Sequence, residues 1–246
     1  MVSEARGRLI GKCALVTGGS KGIGKAIARA YALEGARVFI CGRNARDLDD
    51  ALADLRNSGL IDGVSGDISR WADAQRIVAA AVTRFGAIDV LVNNASVLGP
   101  RVPIAEYPPD DWQTVIDVNL NGLFYLTRLV LQSMIPRQQG SIINVTSGVG
   151  RTGRGSWGAY SVSKFGVEGL TQVLADELKG SGIRVNAVNP NATRTGMRAA
   201  AYPEEDPATL PTPEEITELF VQLASDESVA VHGASLEARD WIRRAN

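Results

Sequence analysis

The chain has 246 residues, 45% of them hydrophobic and 22% charged, with 26 basic and 27 acidic side chains for a formal net charge of -1. That length suits one well-buried domain and is short for two, while the near-neutral balance gives no electrostatic reason to expect nucleic acid or an anionic membrane as partner. Two cysteines, Cys13 and Cys41, and a single histidine, His232, fit no metal-ligand spacing, so no metal is expected and the thiols read as small core residues of a reducing compartment. The opening residues 1–12 lack the apolar run of a signal peptide, and no stretch approaches the roughly 18 consecutive apolar residues of a spanning helix, so a cytoplasmic location is expected.

In chain order, an apolar run at 13–19 reads as a strand that feeds a glycine-rich loop and a helical pattern at 22–33. A second run at 36–42 precedes a helix at 46–56, and a weaker strand at 61–67 precedes a helix at 71–85. The run at 88–96 leads to a long helix at 110–135, and the run at 141–148 to a helix at 157–178. A last run, 183–190, is followed by an irregular proline-rich stretch at 202–213, then by a helix at 213–224. That helix starts Thr-Pro-Glu-Glu, with Pro213 in a first-turn position and acids where the helix dipole favours them. Continuous apolar runs mark strands buried on both faces, and their alternation with helices implies a doubly wound parallel sheet covered on both sides. A single α/β domain over 1–246 accounts for the whole chain, with a substrate loop at about 196–213.

The sequence Leu15-Val-Thr-Gly-Gly-Ser-Lys-Gly-Ile-Gly24 passes straight from strand to helix. Its Gly18-x-x-x-Gly22-x-Gly24 spacing differs from G-x-G-x-x-G, yet it meets the same demands: a tight turn, close backbone approach to a pyrophosphate, and a helix N-terminus offering free N–H groups. Where that fingerprint expects an acid for a ribose 2′-hydroxyl, the second strand ends in Arg43. An arginine there suits a 2′-phosphate, which it can grip as a fork, and Lys21 would add a second positive charge. The alternative is a surface arginine pairing with Asp47 or Asp49. These residues favour NADP(H), with NAD(H) as the second choice. Further along, Tyr160 and Lys164 stand four residues apart, on one helical face, with their Cβ atoms about 5–6 Å apart.

Taken together these motifs resemble the short-chain dehydrogenase/reductase family of roughly 250 residues, over residues 10–233. The order is Thr17 to Gly24, Asp67 after the third strand, Asn-Asn-Ala-Ser at 93–96, Asn119 in a long helix, Ser147 after the fifth strand, Tyr160-x-x-x-Lys164, and Asn189-Pro190. The resemblance implies a Rossmann-type fold and a catalytic set of Asn119, Ser147, Tyr160 and Lys164. In that set Ser147 hydrogen-bonds the substrate oxygen and Tyr160 exchanges the proton. Lys164 lowers the phenol's pKa and holds the nicotinamide ribose, while Asn119 helps to hold a relay water. A lone phenol with a pKa near 10 needs such help at neutral pH. The implied cofactor contacts are Gly18, Ser20, Lys21, Gly22, Ile23, Gly24, Arg43, Asp67 and Ile68 at the phosphate and adenosine end. Asn94, Ala95, Tyr160, Lys164, Pro190 and Thr195 follow towards the nicotinamide, and Asn93 stitches the strands behind. The substrate lining is read as Val97, Ser147, Val149, Arg154, Trp157, Tyr160 and Met197.

Three places depart from the family pattern. Asn191 stands where Pro-Gly is usual, which a turn with positive φ tolerates. Ser96 replaces a glycine, and the tail at 234–246 runs Arg239-Asp240-Trp241 in place of Asp-Gly-Gly. The resemblance implies a homodimer or homotetramer through the helices 110–135 and 157–178, and a small carbonyl or alcohol substrate. The functional expectation is an NADPH-dependent carbonyl reductase. The alternatives are a 3-oxoacyl-acyl-carrier-protein (or CoA) reductase and a non-catalytic dinucleotide-binding regulator.

Overall fold

The structure is a computed structural model that describes residues 7–242; the expectations placed on residues 1–6 and 243–246 lie outside the described residues. Seven strands form one sheet: β1 (Cys13–Thr17), β2 (Arg37–Gly42), β3 (Ile61–Ser65), β4 (Val90–Asn93), β5 (Gly140–Val145), β6 (Ile183–Asn189) and β7 (Ser235–Glu237). Their order is β3-β2-β1-β4-β5-β6-β7, and every pairing is parallel.

The apolar runs work as two-faced strands. In β1, Ala14 and Val16 enter one core and Cys13 and Leu15 the other, because successive side chains point to opposite faces. The first core lies under α1 (Gly22–Leu33), α2 (Ala45–Leu55) and α8 (Thr217–Ala224), through Ile27, Tyr31, Leu48 and Phe220. The second lies under α3 (Trp71–Phe85), α5 (Gly122–Arg137) and α6 (Gly158–Glu177), through Ile77, Leu126, Met134 and Leu174. Each such fully buried side chain contributes on the order of 1.5–3 kcal/mol. Both cysteines are free and buried in the second core, and burial pushes their thiols up to about 11 and about 12. His232 bridges the Val185 amide and the Ala175 carbonyl, which makes it a structural residue.

Three elements differ from the sequence expectation. The long helix at 110–135 is α4 (Pro109–Ile116) and α5 joined by a π turn, Asp117–Asn121. The last helix starts later than 213: Pro213 opens a 3-10 turn at Glu214–Ile216, and α8 begins at Thr217. There the Glu215 carboxylate reaches back to the Thr212 amide at 2.6 Å, half of a capping box. Inside the expected tail lies β7, three residues set beside β6 with Ser235 opposite Ala187. Asn186 prepares that pairing, accepting from the Ala234 amide and donating to the Val231 carbonyl. The substrate loop also carries a short helix, α7 (Gly196–Ala201), capped by Thr195.

Candidate active site

The strand order reverses direction between β1 and β4, and the crevice beyond their carboxyl ends is where such sheets receive ligands. Thr17, the last residue of β1, rivets the two loops there. Its hydroxyl accepts from the Asn94 and Ala95 amides, both at 2.9 Å, and the Asn94 side chain returns hydrogen bonds to the Thr17 and Gly18 carbonyls at 2.9 and 3.2 Å. The loop needs its glycines for stated reasons. Gly18 has φ +63 and Gly22 φ +50, and a Cβ on Gly24 would sit 2.3 Å from the Gly18 carbonyl oxygen. Helix α1 opens on extended Lys21 with no side-chain cap, so its first-turn amides are left to face an anion in the crevice.

At one end of the crevice a cavity of about 130 Å³ is lined by Ser20, Arg43, Asp67, Ile68 and Val97. Arg43 has no carboxylate partner among the described residues; of the two weighed for it, Asp47 pairs instead with Lys21 at 2.7 Å and Asp49 makes no ion pair with it. Lys21 is therefore a neutralised charge, and it lines the other cavity rather than this one. One oxygen of Asp67 is held by the Ser69 amide and hydroxyl at 3.0 and 2.7 Å, which fixes the carboxylate's orientation.

At the other end a cavity of about 480 Å³ brings together Gly22, Ile23, Asn94, Ala95, Ser147, Trp157, Tyr160, Lys164, Pro190, Thr195 and Met197. The expected Val149 and Arg154 do not line it. Val149 packs into the aromatic cluster behind, and Arg154 is exposed on the loop before α6. Asn93 is buried behind the cavities, donating to Thr127 at 3.0 Å and Asn144 at 2.9 Å, and so ties β4 to β5.

Tyr160 and Lys164 share one face of α6, with the Lys164 nitrogen 5.6 Å from the phenol ring centre. That nitrogen donates to the Val145 carbonyl at 2.8 Å, leaving two N–H groups for the cavity. Burial sets both protonation states. It pushes the Tyr160 phenol up to about 12, against the stabilising hydroxyls of Ser147 and Ser96, and pulls the Lys164 ammonium down to about 8. In the chain by itself burial is the dominant influence on the phenol, and the hydroxyls of Ser147 and Ser96 act against it. Ser96, named above only as a departure, turns a shielded hydroxyl towards the Tyr160 phenol, and the buried Thr146 hydroxyl has no hydrogen-bond partner among the described residues.

Asn119 sits in the π turn and is buried. Its side chain accepts from the Val97 amide at 2.8 Å and donates to the Val97 carbonyl at 2.9 Å and to Ser163 at 3.1 Å. Ser163 in turn donates to the Tyr160 carbonyl at 2.8 Å. The side-chain amide thus holds the loop after β4 against α6. Over the mouth, the Arg101 guanidinium lies 4.6 Å from the Trp157 ring centre and 4.9 Å from that of Tyr202, and it donates to the Ala201 carbonyl. Arg198 stacks on Tyr202 at 3.8 Å and grips Glu205 through two hydrogen bonds of 2.6 Å. This stack pins α7 over the cavity, and no motif of the sequence announced it.

The family model for short chain dehydrogenases matches residues 12–206. The oxidoreductase YciK of Escherichia coli K12 is 37% identical over 235 residues, covering 92% of this chain and 90% of its own. The 3-oxoacyl-[acyl-carrier-protein] reductase FabG of Thermotoga maritima is also 37% identical over 235 residues, covering 92% of this chain and 95% of its own. Among solved structures, a short chain dehydrogenase of Shigella flexneri complexed with NADP superposes with a TM-score of 0.90 at 37% identity, covering 95% of this chain and 99% of that one.

Proposed function

The chain belongs to the short-chain dehydrogenase family, and on that premise we propose that it is an NADP(H)-dependent carbonyl reductase interconverting a ketone and a secondary alcohol. The observation that carries this reading is the convergence of Ser147, Tyr160 and Lys164 on one cavity that the glycine loop also lines. The residues fit such a cofactor. The glycine loop at Gly18 and Gly22 and the uncapped start of α1 offer backbone to the pyrophosphate, and the unpaired Arg43 faces the place of a 2′-phosphate. The chemistry supplied by the bound dinucleotide is hydride exchange with the carbonyl carbon.

The protein's part is proton management. Ser147 donates to the substrate oxygen and orients it. Tyr160, held protonated by burial, passes its phenolic proton to that oxygen as negative charge develops there. The phenolate left behind lies beside the Lys164 ammonium, which stabilises it. In the alcohol-oxidising direction the phenol must first lose its proton, so oxidation is favoured by higher pH. Asn119 acts as a positioning residue through Val97 and Ser163.

The substrate end of the cavity is apolar, lined by Leu98, Trp157, Met197 and Ala201, and the charge of Arg198 is neutralised by Glu205. Uncharged ketones with a hydrophobic arm suit it best. The similarity to a 3-oxoacyl-carrier-protein reductase favours a second reading, in which the ketone is held as a thioester. Against it, the basic side chains that could dock an acidic carrier are already engaged. Arg137 is paired with Asp89 at 2.7 Å, and Arg128 is stacked over Trp71 at 5.1 Å. A panel of unconjugated ketones and 3-oxoacyl thioesters, followed by NADPH absorbance, tests both: turnover of the thioesters alone overturns the first reading, and no turnover of either class favours the non-catalytic alternative.

Phe124 on α5 and Val162, Phe165 and Val173 on α6 are exposed. We infer a homo-oligomer through these helices, which light scattering on a sizing column tests. No described helix is long and apolar enough to cross a membrane, and the proposed location is the cytoplasm.

A further inference from the structure

Asn191 is held with φ +60, the left-handed region that a side chain disfavours, at the turn that walls the larger cavity. Three contacts hold it there. Its amide donates to the Asn189 side chain at 3.0 Å, its own side chain donates to Glu237 Oε2 at 2.6 Å, and Asn189 donates to the same oxygen at 2.8 Å. The result is a closed ring of Glu237, Asn189 and Asn191, in which one carboxylate oxygen from β7 fixes two residues at the end of β6. The other oxygen of Glu237 meets Arg151, which follows the Ser147 turn and is itself held by Glu168 at 3.0 Å and Ser235 at 2.6 Å. Glu237 therefore reaches both loops that flank Tyr160. The ring leaves Asn191 Oδ1 shielded and without a partner, an arrangement with a cost, as strained turns at functional sites have.

We propose that Glu237 is a positioning residue for the nicotinamide end of the cofactor site, holding the Pro190–Asn191 turn in its left-handed conformation from the far side of the sheet edge. The two ends of the dinucleotide are distinguished on this chain by Arg43 and Asp67 at one cavity and by the acid–base pair Tyr160 and Lys164 at the other. The inference rests on the cofactor placement of the preceding section. Two departures noted in the sequence, Asn191 and the tail, thereby become one device: the tail supplies the carboxylate that makes asparagine workable where glycine would need no help.

The test is a binding cycle without turnover, in which NADPH is titrated by its fluorescence and adenosine 2′,5′-bisphosphate, which has no nicotinamide, serves as the control. Glu237→Ala is expected to weaken NADPH about tenfold while leaving the bisphosphate within about twofold. Adding Asn191→Gly is expected to restore most of the loss, because glycine adopts positive φ unaided. Glu237→Met, which keeps the side chain's length and removes both acceptor oxygens, takes the place of the alanine variant should that one fail to fold, and it is read by the same outcomes. Unchanged NADPH affinity, equal weakening of both ligands, or no rescue by glycine each overturns the proposal while leaving the cofactor placement intact. A wild-type protein that binds the bisphosphate but gains nothing from the nicotinamide half overturns both.

Discussion

The two ends of the crevice are built by different means. The end around Gly18, Gly24 and Arg43 is made of backbone: a turn, a helix start, and one cation on the neighbouring strand, all within a short span of chain. The end around Tyr160 is made of side chains brought from far apart, with Asn119 on Val97, Lys164 under Val145 and Glu237 on Asn191. A site built mainly of backbone depends on its glycines and on the few side chains, such as Arg43, that it does use. A side-chain site divides its work among residues whose individual removal has graded effects. The first should govern binding, and the second should divide between turnover at Tyr160 and placement of the cofactor at Glu237.

Tyr160→Phe gives the largest expected effect, a fall in kcat of about a thousandfold with NADPH affinity unchanged within about twofold, measured by steady-state rates and fluorescence titration. A variant that loses affinity in proportion would erase the division between the ends. Gly24→Ala should do the reverse. Its methyl lands on the Gly18 carbonyl, so NADPH affinity should drop about a hundredfold and the melting temperature should fall, as titration and calorimetry would show. Arg43→Asp should weaken NADPH about thirtyfold and raise the relative affinity for NADH, leaving kcat with saturating cofactor close to wild type. An unchanged preference would make Arg43 a surface charge and move the phosphate contact elsewhere.

The smallest effect is graded by pH. Lys164 titrates near 8 because burial disfavours its charge, and its cationic form is the one that stabilises the phenolate. Ketone reduction should therefore hold level through neutral pH and decline as pH rises through about 8, by up to tenfold per unit, in a profile of kcat against pH. A profile flat to pH 10 would mean that bound cofactor restores the lysine's ordinary basicity.

What could be read from the sequence follows the same division. Gly18, Gly22 and Gly24 were legible because the demand they answer is local, and Tyr160 with Lys164 because helical spacing fixes their common face. The apolar runs announced six strands; β7, with three residues and a single neighbour in the sheet, carries too little pattern to read. The side chains that complete the catalytic end were only partly legible. Asn119 was recognisable as a polar residue in an apolar helix, but its partner Val97 lies 22 residues away and is bonded through its backbone, which leaves no trace in residue type. Lys21 could be read as a cation, though not as one already spent on Asp47. Spacing reports the charge of Lys164 beside Tyr160 and says nothing of how thoroughly the pair is desolvated.

The π turn at Asp117–Asn121 has a bearing on how this molecule tolerates insertion and deletion. A helix carrying one residue too many can be made regular by removing it, and backbone energetics alone would welcome that change. Yet each residue of a helix subtends about 100°, so a deletion there would swing Asn119 off Val97 or turn the whole of α5 against its core. The extra residue thus lets Asn119 stay on Val97 while α5 keeps its apolar face on the core, so the segment accepts neither a deletion nor an insertion without losing one of the two.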